Sequence, residues 1–176
     1  FIERKLLLKV NMEKTQVAYI RNVKFLGYGF YQYKGEGRLR VHPKSVQKLK
    51  DTIREVTGRS NGMGIEARRA RLNQIIRGWV NYFKLADMKN LMQKLDEWVR
   101  SRIRMVTWKR WKKVRTRFRN LKSLGIDEER AWMWANTRKG YWRTAHSPIL
   151  TRTLSNARFK QTGYLSFVDC YSGVKA

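Results

Sequence analysis

Between Trp98 and Ile126 the chain holds no Asp or Glu, and Arg100 to Lys122 alone brings eleven Lys or Arg. A helix of that composition cannot stabilise itself through ion pairs, because like charges three or four residues apart repel. It folds only if its apolar residues dock on other elements and its cations find anions elsewhere. Ile103, Val106, Trp111, Val114 and Phe118 supply the docking side, with Arg104, Lys109, Arg110, Lys112, Lys113, Arg115, Arg117 and Arg119 around them. The whole chain is skewed the same way. Its 176 residues carry 40 Lys plus Arg against 13 Asp plus Glu, a formal net charge of +27. A polyanion relieves such self-repulsion through counterion release, which points to nucleic acid or an anionic membrane surface and away from an enzyme of small neutral metabolites.

Other classes fall away on composition. A chain that is 42% hydrophobic, with seven Trp, is not disordered. No eighteen-residue stretch is free of charge, so no bilayer-spanning helix is expected. One cysteine, Cys170, cannot form an internal disulfide, and with two histidines it makes a poor zinc set. Together with the lack of a signal-peptide pattern, this predicts a reducing, intracellular setting, cytoplasmic or organellar. The opening at Phe1, inside an apolar-basic pattern, is expected of a piece of something longer.

The order of local signals predicts an α+β fold, mainly α, with short antiparallel strands followed by a helical bundle. Val17–Ile20, Lys24–Tyr33 and Arg38–Val41 have strand composition, with a hairpin turn at Gly35-Glu36-Gly37. Pro43 opens a helix whose inner face is Val46, Leu49, Ile53 and Val56. A Gly-rich linker, Gly58 to Gly64, precedes a second helix with Leu72, Ile75, Ile76, Trp79, Val80 and Phe83 inward. Asp87 is the expected N-cap of a third, with Leu91, Leu95, Trp98 and Ile103 inward and its extension past Thr107 left open. Leu124-Gly125-Ile126 ends a helix, Asp127, Glu128 and Glu129 begin the next, and Ser147-Pro148 starts another. Tyr164–Val168 and Tyr171 read as extended.

No self-sufficient active site emerges. Two-metal chemistry needs converging carboxylates, whereas Asp96-Glu97 sits on a helix flank and Asp127, Glu128 and Glu129 suit a helix start. His42 and His146 stand beside prolines with no neighbouring carboxylate or nucleophile in sequence. The cations are the better lead. Besides the acid-free stretch, Arg68, Arg69, Arg71 and Arg77 cluster on the second helix, and Arg138, Lys139 and Arg143 interleave with Tyr141 and Trp142. Aromatics beside guanidinium groups suit folded or single-stranded RNA, stacking on unpaired bases. Trp79, Trp98 and one of Trp132 or Trp134 are expected in the core, with Trp108 and Trp142 exposed.

Three motifs carry a resemblance: Phe25-Leu26-Gly27-Tyr28, Arg77-Gly78-Trp79-Val80-Asn81-Tyr82-Phe83, and Trp142-Arg143-Thr144-Ala145-His146-Ser147-Pro148. In that order they resemble the C-terminal half of group II intron reverse transcriptases, or maturases, and the second resembles the signature of the maturase-specific (X) domain. The resemblance implies that residues 1–41 are the end of a palm and 42–176 the X/thumb domain. It implies that Phe25, Leu26, Gly27 and Tyr28 grip a primer terminus, that Lys14, in Asn11-x-Glu13-Lys14-Thr15, assists at the leaving pyrophosphate, and that Arg68, Arg69 and Arg71 face nucleic acid. The Tyr-x-Asp-Asp box of the family is absent, so no polymerase activity is expected of this chain alone and no cofactor of its own, Mg2+ entering only with a complete palm. The implied partners are group II intron RNA, template–primer, and a fingers and palm portion carried elsewhere, but no membrane. A generic structural RNA-binding protein is the alternative, and a helix-turn-helix DNA binder built on Leu121–Ile126 a remote third.

Overall fold

The computed structural model describes residues 2–7, 9 and 18–175. Its order is a short helix α1 (Ile2–Lys5), a 3-10 turn at Ile20–Asn22, a sheet, and then helices to the end; 63% of the chain is helical. The expected α+β, mainly α fold is therefore present.

Strands β1 (Lys24–Phe25), β2 (Tyr28–Tyr33) and β3 (Glu36–Val41) form one antiparallel sheet in sequence order. Tyr33 pairs with Glu36, which leaves Lys34-Gly35 as a two-residue turn. Both turn residues have positive φ, 51° and 82°, as the type I′ hairpin demands. Leu26 and Gly27, at 47° and 83°, do the same between β1 and β2, so the expected strand Lys24–Tyr33 is broken in two. The described part of Val17–Ile20 is not a strand: Ala18 and Tyr19 belong to no element and Ile20 opens the 3-10 turn. Strand propensity acts only where a neighbour offers a ladder.

Helix α2 (Pro43–Val56) starts as expected, with His42 Nδ1 accepting from the Lys44 N–H at 3.2 Å. It packs with α3 (Ile65–Tyr82), the first half of α4 (Lys89–Arg110), α9 (Asn156–Gln161) and α10 (Phe167–Lys175) around Leu49, Ile53, Leu72, Ile76, Val80, Leu95 and Phe167. The far end of α4 joins α5 (Val114–Ser123), α6 (Glu128–Ala135), α7 (Tyr141–Ala145) and α8 (Pro148–Thr153) around Trp108, Leu121 and Leu150, with Met105, Val106 and Ala145 beside them. One 22-residue helix thus passes through both cores.

Several expectations need correction. The extent of the third helix, left open by its sequence, is fixed here: α4 stops at Arg110, and the chain turns before α5 begins at Val114. Asp87 does not cap α4; Met88 holds that position, while Asp87 accepts from the Tyr31 hydroxyl at 2.8 Å and its N–H donates to Leu39 O, tying sheet to helices. Trp108 is 1% exposed, not a surface residue, because the turn after α4 folds α5 and α8 over it. Trp79 and Trp98 are half-buried; Lys50, Arg54 and Arg102 stand around the Trp98 ring at 5.6 to 6.0 Å. As expected of this pair, one is inside: Trp134 packs on the second core, whereas Trp132 is exposed. Ser147 occupies the start of α8, yet its hydroxyl donates back to Thr144 O instead of accepting from the helix.

The extended run expected at Tyr164–Val168 and Tyr171 is no strand: Tyr164–Ser166 belong to no element, and Phe167, Val168 and Tyr171 lie in α10. Its cause lies seventy residues away. The buried Asp96 carboxylate of α4 accepts from Phe167 N–H (2.8 Å), Val168 N–H (3.1 Å) and the Ser166 hydroxyl (2.6 Å), capping α10 from outside its own segment. Removing that carboxylate leaves helix-end donors unpaired, so Asp96→Ala should cost about 2 kcal/mol in urea unfolding. Trp108→Ala, which empties the second core, should cost about 3–5 kcal/mol on the same measurement.

Candidate nucleic-acid interface

With 40 cations and 13 acids, most guanidinium groups cannot be matched to carboxylates. The structure gives several of them another counter-charge, the carbonyl end of a helix. At the C-terminus of α2, Arg68 Nε donates to Val56 O (3.0 Å), and Arg102 donates to Thr57 Oγ1 (2.9 Å), Thr57 O (3.2 Å) and Arg54 O (3.3 Å). Arg104 places two nitrogens on Leu154 O, just past α8, at 3.1 and 2.9 Å. Arg117 donates to Trp111 O after α4 (3.0 Å) and Ala135 O at the end of α6 (3.4 Å), with its guanidinium 4.7 Å from the Trp108 ring centre. Arg69 donates to Thr162 O after α9 at 2.8 Å. Each meets the negative end of a helix dipole and its unpaired carbonyls. Burial pushes the pKa of Arg68, Arg102 and Arg104 below the ordinary arginine value, but a guanidinium remains charged at neutral pH.

This corrects part of the expected interface. Arg68 and Arg104 are buried, Arg117 half-buried, and all three are committed to main-chain carbonyls. Local sequence cannot separate them from their neighbours. Arg71, Arg77, Arg110, Lys112, Lys113, Arg115, Arg119, Arg138, Lys139 and Arg143 are exposed, with Trp142 44% exposed among them. Of the full expected set, Arg69 alone takes part in an ion pair among the described residues, with Glu66 at 3.5 Å. The exposed cations therefore have no carboxylate partner there.

The fold also gathers segments that are far apart in sequence. Lys109 Nζ donates to Arg59 O at 2.6 Å, and the Arg59 guanidinium stands 5.6 Å from the Tyr141 ring centre. The linker, the end of α4 and the start of α7 thus meet, and Arg59, which the linker reading passed over as spacer, belongs to this basic surface. No hydrogen bond or ion pair joins Arg71 or Arg77 to it among the described residues. Trp142 packs edge-on to His146 at 4.4 Å, and His146 Nδ1 lies 2.9 Å from Trp142 O, so the third motif is a small aromatic helix with Thr144 and Ala145 buried beneath it.

The other two motifs form a single contact. Gly27 O accepts from the Ser45 hydroxyl and the His42 N–H, both at 3.0 Å. Leu26 O accepts from the Tyr82 hydroxyl at 2.9 Å, and the Tyr28 hydroxyl donates to Tyr82 O at 2.6 Å. A Cβ on Gly27 would lie 3.0 Å from Ser45 Oγ and 3.1 Å from Phe83 Cζ, so both the positive φ and the close approach call for glycine. Phe25 and Leu26 remain exposed at the tip. Lys14 lies outside the described residues.

Among the described residues, His42, Asp96 and Asp127 act as helix caps. Partial burial followed by Lys24, Lys44 and Arg40 lowers the pKa of His42, favouring the neutral acceptor. The described residues contain no group of three or more His, Cys, Asp or Glu placed to hold a metal, and no helix long and apolar enough to cross a membrane. In the turn between α5 and α6, Ile126 N–H bonds Leu121 O and Gly125 N–H bonds Lys122 O, a Schellman stop. The helix that follows exposes Glu128, Glu129, Trp132 and Met133, the wrong chemistry for a helix that enters a DNA groove.

The two classes of arginine separate experimentally. Arg68→Ala and Arg104→Ala should each destabilise the fold by about 1–3 kcal/mol in urea unfolding, because buried carbonyls lose their donors. Arg115→Ala and Arg119→Ala should stay within about 0.5 kcal/mol of the parent.

Residues 46–125 match the family model of the group II intron maturase-specific domain. Among curated proteins none matches the chain. The matched span runs from the first turn of α2 through the linker, α3 and α4 to the glycine stop of α5. It contains the Arg77–Phe83 motif and the acid-free segment, while the strands and the motif at 142–148 lie outside it. Over residues 46–125, this chain is similar to the group II intron maturase-specific domain.

Proposed function

We propose that the chain is the RNA-binding C-terminal portion of a group II intron reverse transcriptase/maturase, holding intron RNA to assist splicing and template–primer during reverse transcription. The observation that carries this reading is the exposed, carboxylate-free set of cations on α3, at the end of α4, on α5 and around α7, in a chain whose 46–125 segment matches the model of the maturase-specific domain. Phosphates are the counter-ions such a surface lacks. In this reading residues 1–41 close a palm, the Phe25–Tyr28 turn meets the primer terminus, Lys14 assists at the leaving pyrophosphate, and 42–176 form the thumb. The close seat of Gly27 under Ser45 and Phe83 supports a rigid joint between the two parts. Polymerisation would need a palm with metal-binding aspartates, supplied by other residues together with Mg2+.

The test is titration with a structured group II intron RNA across a salt series, beside an unrelated structured RNA of equal length. Six or more phosphate contacts predict a log K against log salt slope of about −4 or steeper, with the intron RNA bound at least tenfold more tightly. Equal affinity for the two RNAs would favour a generic structural RNA binder. No binding near 0.1 M salt would reject the RNA reading itself.

A further inference from the structure

The Gly58–Gly64 linker reads as a flexible spacer in sequence, but side chains pin it in place. Asn61 Nδ2 donates to Glu55 O (3.0 Å) and Val56 O (2.8 Å), while Asn61 Oδ1 accepts from Arg68 Nη2 (2.8 Å) and Met63 N–H (3.2 Å). Lys109 holds Arg59 O from the α4 side. Between the pinned linker and the end of α4 lies a groove of about 380 Å³, into which Arg59, Lys109, Arg110 and Lys112 converge and which no Asp or Glu lines. Its linker wall is open backbone: a Cβ on Gly62 or Gly64 would meet nothing within 4 Å, and α3 starts at Gly64 with no side-chain cap.

We propose that this groove binds the sugar–phosphate backbone of a single RNA strand, one phosphodiester seated among Arg59, Arg110 and Lys112. The assignment rests on the RNA-binding reading above and narrows it to one site. Five cations, the buried Arg68 among them, line this concave site with no carboxylate and concentrate positive potential there. The uncapped first turn of α3 adds backbone donors of the same sign. A cleft near the small end of the ligand range of about 300–1,000 Å³ admits one nucleotide, and a flexible strand bends into it where the convex edge of a duplex does not.

The probe is a fluorescent twelve-nucleotide oligouridine, with a twelve-base-pair RNA duplex as comparison, read by anisotropy across a salt series. Arg59→Ala/Arg110→Ala/Lys112→Ala removes the groove cations. Lys44→Ala/Lys89→Ala/Lys94→Ala removes the same charge from exposed positions elsewhere. Arg110 and Lys112 make no side-chain hydrogen bond among the described residues, so the groove variant should keep its circular dichroism and melting temperature. If Arg59 proves necessary for folding, the Arg110→Ala/Lys112→Ala pair replaces the triple. Loss of that one phosphate contact flattens the single-strand slope by about 0.7, in the triple and in the pair alike. Affinity for the oligouridine at 0.1 M salt should fall at least tenfold, while the lysine control keeps its slope. Equal behaviour of groove and control variants, with wild type binding, overturns the groove alone. An equal loss on the duplex overturns the single-strand assignment. Failure of the wild type to bind overturns both this site and the RNA reading.

Discussion

An arginine guanidinium, buried or half-buried and hydrogen-bonded to the last carbonyls of a helix, is the interaction on which this molecule turns. Five helix ends use it: α2 through Arg68 and Arg102, α4 and α6 through Arg117, α8 through Arg104, α9 through Arg69. A charge-assisted hydrogen bond of this kind contributes about 1.5–3 kcal/mol, and the helix dipole adds a smaller favourable term. A chain with 13 acids against 40 Lys plus Arg has too few carboxylates to neutralise its cations by ion pairing. Helix ends are the remaining source of negative potential. The arrangement satisfies the carbonyls and the arginines together, and it spares the acids for capping. Asp96 and Asp127 are spent on the N-termini of α10 and α6.

That division decides what is left for a ligand. Arginines that enter the protein tie α4 and α5 to neighbouring helix ends, while the exposed Arg77, Arg110, Arg115, Arg119, Arg138 and Arg143, with Lys112, Lys113 and Lys139, have no carboxylate partner among the described residues. The groove at the linker lies on the border between the two classes. Its rigid shape comes from buried Arg68 and from Asn61, and its field from Arg59, Lys109, Arg110 and Lys112. At the opposite end of α3, Tyr82 and Phe83 clasp the glycine turn of the sheet. The same helix therefore carries a basic entry at one end and a fixed strand turn at the other.

Much of the architecture was legible because its signals are local. Pro43 with its apolar spacing gave α2, Gly125 marked the stop of α5, and Asp127 the start of α6. What sequence hid depends on partners distant along the chain. The helix α10 has strand-like residues and is set by a carboxylate on α4. Trp108 stands among cations in sequence but is enclosed once the chain reverses after Arg110. Arg68 and Arg71, three residues apart, have the same composition around them. One points at the end of α2 and the other at solvent. Periodicity could have placed Arg68 on the face of Leu72 and Ile76, one turn before them, and so marked it as inward.

The central claim is that nucleic acid covers the carboxylate-free surface of the second half of the molecule rather than the protein at large. Lysine acetylation of the chain, free and bound to group II intron RNA, followed by mass spectrometry, reads this residue by residue. The account predicts that Lys112, Lys113 and Lys139 become protected while Lys89 and Lys94, exposed on the first half of α4, stay reactive. Even protection of all five, or continued reactivity of the first three, would contradict it.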